Sequence, residues 1–359
     1  MTDQRSIGTL DNMKPLVIAP METDLETQRI TSALVTQGAK LVMIRRDSPV
    51  SLLIDRFKLR SLAAESTVIH AFGGYALAVA LGLCQKNLIF TPVGFPSNQI
   101  IAWLRAIQSY YPIRIVCTSE TARRTLVERG VNFSSTSLIR TGVSFARITT
   151  RSDAGIREKL GFRHDHKVVF CPLEITRTSG HAHALWAMSI LQVLEPHFRL
   201  LLWSKEPCHP LVDLADRLID PALLRVVQTI EPESFFAAAD LILLTPDAPI
   251  SLYAVAASMV SSKPIISTLT PQICELLEDR HTALLVNSTT PRNIAHRIMD
   301  CVSDASLSWK IADRARAEAY DHLTQSRMIE SYQSLYAALS GSGNTKDVSL
   351  PILTNPRVV

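Results

Sequence analysis

Glycine is scarce in this chain: 13 residues of 359, about 4% where about 7% is usual. Nucleotide-binding folds use glycine to bring backbone close to phosphate, so any phosphate site here must be built with little of it. There is no GxGxxG after a strand and no GxxxxGK[ST], which disfavours a dehydrogenase or a P-loop NTPase, and there is no GxSxG elbow of a hydrolase. Long apolar runs are missing as well. None reaches the roughly 18 residues of a membrane helix, and no basic-then-apolar leader opens the chain. The expectation is a soluble, cytoplasmic protein. The six cysteines, Cys84, Cys117, Cys171, Cys208, Cys274 and Cys301, include no CxxC pair. Several lie in apolar, strand-like runs, which fits buried free thiols in a reducing compartment better than disulfides. Neither sign of charge dominates: 37 basic against 33 acidic side chains give +4. The pairs Arg45-Arg46, Arg123-Arg124 and Arg314/Arg316 are scattered and form no basic stripe, so nucleic acid is not an expected partner. The most this charge supports is a weak peripheral attraction to anionic membranes.

What is present is core material. Hydrophobic residues make up 47% and charged residues 19%, which excludes a disordered chain. The length suggests two domains. Short continuous apolar runs alternate with amphipathic ones. Strands are expected at Leu16–Ala19, Leu41–Ile44, Thr67–His70, Leu88–Phe90 and Ile113–Cys117, with helices over 24–37, 75–84, 98–109 and 119–129. Gly38 and Gly130 close the first and last of these helices. The second half repeats the scheme with strands at Val168–Cys171, Arg199–Trp203, Arg225–Val227, Leu241–Leu244, Pro264–Ile266 and Ala283–Val286. Its helices are expected near 180–194, 210–218, 233–239, 251–261, 271–279 and 291–302, followed by a long helical tract over 305–339. Alternation of this kind implies parallel sheets covered on both faces. The charged stretch 147–167 holds the linker, and 340–359, opening Ser-Gly-Ser-Gly-Asn, reads as a loose tail.

Five fragments in order carry a resemblance. They are Ile113 to Gly130 (IRIVCTSETARRTLVERG), Leu138 to Ser144 (LIRTGVS), Phe235 to Leu244 (FFAAADLILL), Ala257 to Ile266 (ASMVSSKPII) and Pro271 to Val286 (PQICELLEDRHTALLV). Together they resemble the retaining glycosyltransferases of family 4, or group 1, over roughly residues 15–338. The resemblance implies the GT-B fold: two Rossmann-like, doubly wound domains facing a cleft. It places an N-terminal, acceptor-side domain at 1–145 and a C-terminal, nucleotide-sugar-side domain at 146–324. A helix at 325–339 returns to the first domain, and 340–359 is a flexible tail. It implies transfer of a hexose, with retained configuration, from a UDP- or GDP-linked sugar to an unidentified sugar or lipid acceptor, with no cofactor and no metal.

The same resemblance marks departures. The family holds donor sugar and ribose with two glutamates eight positions apart, and here those positions are Pro249 and Ala257. The turn between them, Ile250-Ser251-Leu252-Tyr253, has no glycine, although a helix starting near Ser251 offers backbone N–H groups to a diphosphate. In the loop 172–180 the family's lysine position is Ser179, and Arg177 is the only cation. The first-domain histidine position is Pro92, and the family's Gly-Gly loop is Pro20-Met21-Glu22-Thr23. The candidate donor-binding residues are accordingly Arg177, Gly180, Ile230, Ser251, Leu252 and Tyr253. Gly73, Gly74, Thr91 and Gly142 are candidates for the acceptor side of the cleft. Glu174 and Asp247 are the candidate catalytic carboxylates. Paired histidines do not suggest a metal site: His181 and His183 sit at a helix start, where positions two apart do not share a face, and His164 and His166 precede a strand in the linker and read as solvated. The alternative to an active transferase is a degenerate relative acting as a binding or partner subunit.

Overall fold

The structure is a computed structural model that describes residues 14–45, 50–83, 87–150, 153–206 and 208–341. Cys84, Arg46 and all but the first two residues of the expected tail lie outside the described residues. The chain forms two compact units, one of residues 1–142 with 325–359 and the other of residues 143–324. Among the described residues no helix is long and apolar enough to cross a membrane.

Unit 1 has six strands: β1 (Leu16–Pro20), β2 (Lys40–Ile44), β3 (Ile69–Phe72), β4 (Leu88–Thr91), β5 (Ile113–Cys117) and β6 (Thr136–Leu138). They pair in parallel in the order β2-β1-β3-β4-β5-β6. The helices are α1 (Leu25–Thr36), α2 (Ser51–Glu65), α3 (Gly73–Leu81), α4 (Asn98–Ile107), α5 (Glu120–Glu128) and, from the far end of the chain, α12 (Gln325–Gly341). Strand residues alternate between two apolar layers. Leu16 and Ile18 pack with residues of α3, α4 and α5, whereas Val17 and Ala19 pack with α1 and with Met328, Tyr332, Leu335 and Tyr336 of α12. A buried polar chain fixes α12 on that second face. His70 Nδ1 lies 2.7 Å from Tyr336 Oη, and its Nε2 lies 2.9 Å from Thr91 Oγ1. Nearby, Thr141 donates to buried Glu26. Helix starts follow from side chains: Asp24 accepts from Thr27 N, and Ser119 from Ala122 N.

Unit 2 adds α6 (Ala154–Lys159), β7 (Lys167–Glu174), α7 (His181–Leu194), β8 (Phe198–Ser204), α8 (His209–Leu218), β9 (Leu224–Gln228) and β10 (Leu241–Leu244). It continues with α9 (Leu252–Val260), β11 (Ile265–Thr268), β12 (Leu284–Val286), α10 (Pro291–Ser303) and α11 (Ala305–His322). Its all-parallel sheet has the order β12-β11-β10-β7-β8-β9. One face packs under α7, α8 and α10 through Val169, Cys171, Leu200, Leu202 and Leu243. On another strand residue, Phe170 meets Phe236 edge-on at 5.2 Å. Within the stretch 147–167, Arg157 of α6 donates to Ala238 O at 3.0 Å and pairs with Asp240 at 2.7 Å.

Several expected elements differ. The strand expected at 67–70 is β3, two residues later. Helix α2 and strand β6 were not expected. The stretch 271–279 is not a helix beyond a 3₁₀ turn at Ile273–Glu275: the Gln272 side chain accepts from Ile250 N, and the Glu278 N–H donates to the side chain of Thr282 further along the chain. The stretch 233–239 is also 3₁₀, over Pro232–Ala238. The long tract 305–339 is two helices. It breaks at Leu323-Thr324, where the Leu323 carbonyl accepts from Val143 N at 2.8 Å. That carbonyl therefore serves the strand that enters unit 2. Helix α12 runs on to Gly341, past the expected end.

Candidate functional site

In an open parallel sheet, ligands bind beyond the carboxyl ends of the strands where the strand order reverses. In unit 2 that point lies between β7 and β10. Two loops meet there, 175–180 after β7 and 245–251 after β10. Pro172 interrupts the ladder, and the register with β8 shifts between Cys171 and Glu174. The bulge sets Glu174 opposite Trp203, with its carboxylate 3.5 Å from Lys205 Nζ at the end of β8.

The two loops are latched together. Asp247 N donates to Thr178 O at 3.0 Å, and Thr245 Oγ1 to Gly180 O at 2.9 Å. Gly180 adopts φ +70°, and a Cβ there would lie 1.5 Å from the Thr245 carbonyl oxygen. This is one place where the chain spends a scarce glycine on close approach. Ser179 Oγ closes the loop by donating to Thr176 O, accepting from Thr176 N and sitting 2.6 Å from His181 Nδ1. Burial lowers the pKa of His181 to about 4, which keeps the ring neutral at neutral pH.

Asp247 is exposed, and His183 Nε2 lies 2.8 Å from its Oδ1. The histidines at 181 and 183 thus serve different partners, one inside and one at the loop surface. Arg177 is exposed at the tip of the first loop. Ser251 caps α9 by accepting from Tyr253 N at 3.2 Å, while Leu252 and Tyr253 bury their side chains. Tyr253 donates to buried Glu233 at 2.6 Å. The side chains of these two residues are closed to a ligand, and the Tyr253 N–H is held by the Ser251 cap. Ile230 is exposed on a turn held from below, where Trp203 Nε1 donates to Thr229 O at 2.8 Å. Pro249 is exposed, whereas Ala257 is buried on a helix whose residues are all buried. A glutamate at 257 would place a carboxylate in that interior.

In unit 1 the order reverses between β1 and β3. Gly73 begins α3 with φ +79°, and a Cβ on Gly74 would lie 2.7 Å from Ile100 Cδ1. The pair serves a strand-to-helix turn and the packing of α3 on α4. Thr91 and Gly142 do not join them at a surface. Thr91 is buried against His70, and Gly142 lies buried with its N–H directed at Met328 Sδ, 3.2 Å away. Sequence reasoning missed Lys205 and Thr245, and it weighed His183 only as a metal ligand. Lys205 carried a usable signal: it follows an apolar strand directly, as Glu174 does.

No family model matches the chain, and no curated protein matches it. Solved structures do. A glycosyltransferase from Rickettsia africae aligns with TM-score 0.76 at 15% identity, over 91% of this chain and 99% of its own. HepE of Anabaena, solved with UDP and glucose, gives 0.78 at 15%, over 91% and 100%. Sucrose-phosphate synthase from Thermosynechococcus elongatus gives 0.76 at 16%, over 91% and 99%. The chain has the two-domain α/β fold of these proteins, GT-B, along its described length.

Proposed function

We propose that this chain is a glycosyltransferase of the family 4 type that takes a UDP- or GDP-linked sugar at unit 2 and transfers the sugar, with retention and without a metal, to a sugar or lipid acceptor. The observation that carries the reading is the latched pair of loops at the switch point. Arg177 extends from the first loop, Asp247 and the start of α9 belong to the second, and His183, in the first turn of α7 after the first loop, reaches across to Asp247. The fold supports it, since the proteins that share it include transferases, one solved with UDP. In this reading Arg177 neutralises the diphosphate, the backbone at Ser251–Tyr253 adds N–H dipoles, and Asp247, oriented by His183, accepts from a donor hydroxyl. Unit 1, with Gly73 and Gly74 at its own switch point, faces the acceptor.

A second reading has its own observation. Pro249 and Ala257 replace both carboxylates that the resemblance calls for, and Ala257 is buried. A charged hydrogen bond is worth roughly 1.5–3 kcal/mol, so losing two costs on the order of 10² to 10⁴ in rate at about 1.4 kcal/mol per tenfold. A chain that binds nucleotide sugar without turnover would be a binding or partner subunit. Calorimetric titration with UDP, GDP and their glucose and mannose derivatives separates these cases when paired with a hydrolysis assay. Saturable binding weakened at least tenfold by Arg177→Ala supports the site. Binding indifferent to Arg177→Ala and Asp247→Ala removes it.

A further inference from the structure

Helix α2 is apolar on two sides: Leu52, Leu59 and Leu62 pack into unit 1, and a second apolar stripe faces away from it. Val50, Leu53, Ile54 and Phe57 follow i, i+3, i+4, i+7, so they form one stripe. Their exposures are 60%, 64%, 46% and 82%. Three polar residues, Ser51, Asp55 and Arg56, tie the packed side of the helix to the protein. Ser51 Oγ lies 2.7 Å from Tyr75 Oη, Tyr75 donates to Asp55 at 3.0 Å, and Arg56 donates to Ala78 O at 2.6 Å. Leu59 is buried beside them. A Cβ on Gly82 would lie 2.2 Å from Arg56 Nε, so the fit to α3 is close. These ties fix the rotation of α2, and burying the stripe would break all of them.

The charge around the stripe identifies the partner. On a helical projection Lys58 and Arg60 fall on opposite borders of the stripe. Both are exposed, and neither has an ion-pair partner among the described residues. Glu65, at the last turn, is the one acid on the exposed side of the helix. The net charge of +4 also conceals a division. Unit 1 has 19 basic and 12 acidic residues, net +7, and unit 2 has 18 and 21, net −3. An apolar stripe bordered by cations, on the basic unit, matches a surface that is apolar in depth and anionic at its face. We propose that α2 docks unit 1 on an anionic lipid bilayer, with Leu53, Ile54 and Phe57 in the acyl boundary and Lys58 and Arg60 at the headgroups. A second copy of the chain would bring its own Lys58 and Arg60 against these and is disfavoured.

Co-sedimentation of the full chain with vesicles tests this without any nucleotide, so it stands or falls apart from the transferase reading. The protein is expected to pellet with phosphatidylcholine–phosphatidylglycerol vesicles, to release as salt rises and to stay in solution with phosphatidylcholine alone. Replacing Lys58 and Arg60 together by serine should lower the partition coefficient roughly 25-fold. Phe57→Ser should lower it at least about tenfold. All three positions are exposed, so melting should match wild type, and Leu53→Ser replaces any variant that melts early. Wild type that ignores anionic vesicles, binds neutral ones equally or binds undiminished after Phe57→Ser overturns the proposal. So does a dimer in sedimentation equilibrium that Phe57→Ser dissolves, which would assign the face to a second copy.

Discussion

Gly180→Ala is a sharp test of how the loops of unit 2 are joined. The backbone at 180 has φ +70°, which costs an L-residue roughly 1–2 kcal/mol. The larger obstacle is the Thr245 carbonyl, 1.5 Å from where the new methyl would stand. That neighbour is backbone and cannot rotate aside, so one loop must retreat. Retreat breaks the Thr245 Oγ1 bond to Gly180 O and the Asp247 N bond to Thr178 O. With about 1 kcal/mol for each bond, the total reaches about 3–4 kcal/mol. For a unit of 182 residues, about 2–4 °C of melting temperature per kcal/mol gives a fall of about 6–16 °C. Tryptophan fluorescence during heating reads the right unit, because Trp186, Trp203 and Trp309 lie in unit 2 and only Trp103 in unit 1. Thr245→Val removes one bond while leaving the glycine and should fall by less than half as much. A Gly180→Ala protein that melts within about 2 °C of wild type would refute the latch.

Further outcomes follow from burial. Burial depresses the pKa of His70 to about 3, below the ordinary 6.5, so the unfolded chain takes the proton first. The associated stability is complete above pH 6.5 and declines below it by up to about 1.4 kcal/mol per pH unit. Denaturant midpoints at pH 7 and 5 check this, and His70→Gln should flatten the slope while lowering stability at pH 7 through its lost bond to Tyr336. Ellman's reagent should label Cys274 in the native protein and reach Cys117, Cys171 and Cys301 only on unfolding, since these three are buried and burial raises the Cys171 and Cys301 thiols. Gly74→Ala should be mild because the flexible end of Ile100 can give way, whereas Gly73→Ala meets φ +79° and should cost roughly 1–2 kcal/mol in thermal denaturation.

Regular strands were legible because a parallel strand buried on both faces is a short apolar run, and β5 or β10 can be read off directly. Helix α2 was not legible for the opposite reason. Its apolar residues point in two directions, Leu59 inward and Phe57 outward, so no single period stands out. The site was half legible. Chain order located the loops after β7 and β10, and Arg177, Asp247 and Gly180 all fall on them. What sequence could not show was pairing across 60-odd positions, such as His183 with Asp247 or Thr245 with Gly180. Thr91 read as a surface residue because it follows an apolar strand, but His70 and Tyr336 draw it into the interior.

The scarcity of glycine takes a different meaning once its use is seen. Gly180 allows two loops to touch, and Gly73 turns a strand into a helix at the other unit's switch point. At both positions the glycine is required by chain geometry. In unit 2, side chains occupy backbone N–H groups around the start of α9. Ser251 accepts from Tyr253 N, so part of the N–H dipole of α9 is already satisfied by its own cap. Gln272 takes Ile250 N in the same way. A diphosphate arriving there must compete with these bonds or rely on Arg177. This makes the arginine the most sensitive position in the proposed site. Ser251→Gly is then the informative companion to Arg177→Ala. Freeing the Tyr253 N–H should strengthen binding of UDP or GDP severalfold, while costing only a few tenths of a kcal/mol in helix stability. If calorimetry finds Ser251→Gly weaker than wild type with melting unchanged, the serine hydroxyl contacts the nucleotide itself, and α9 does not bind phosphate through its backbone.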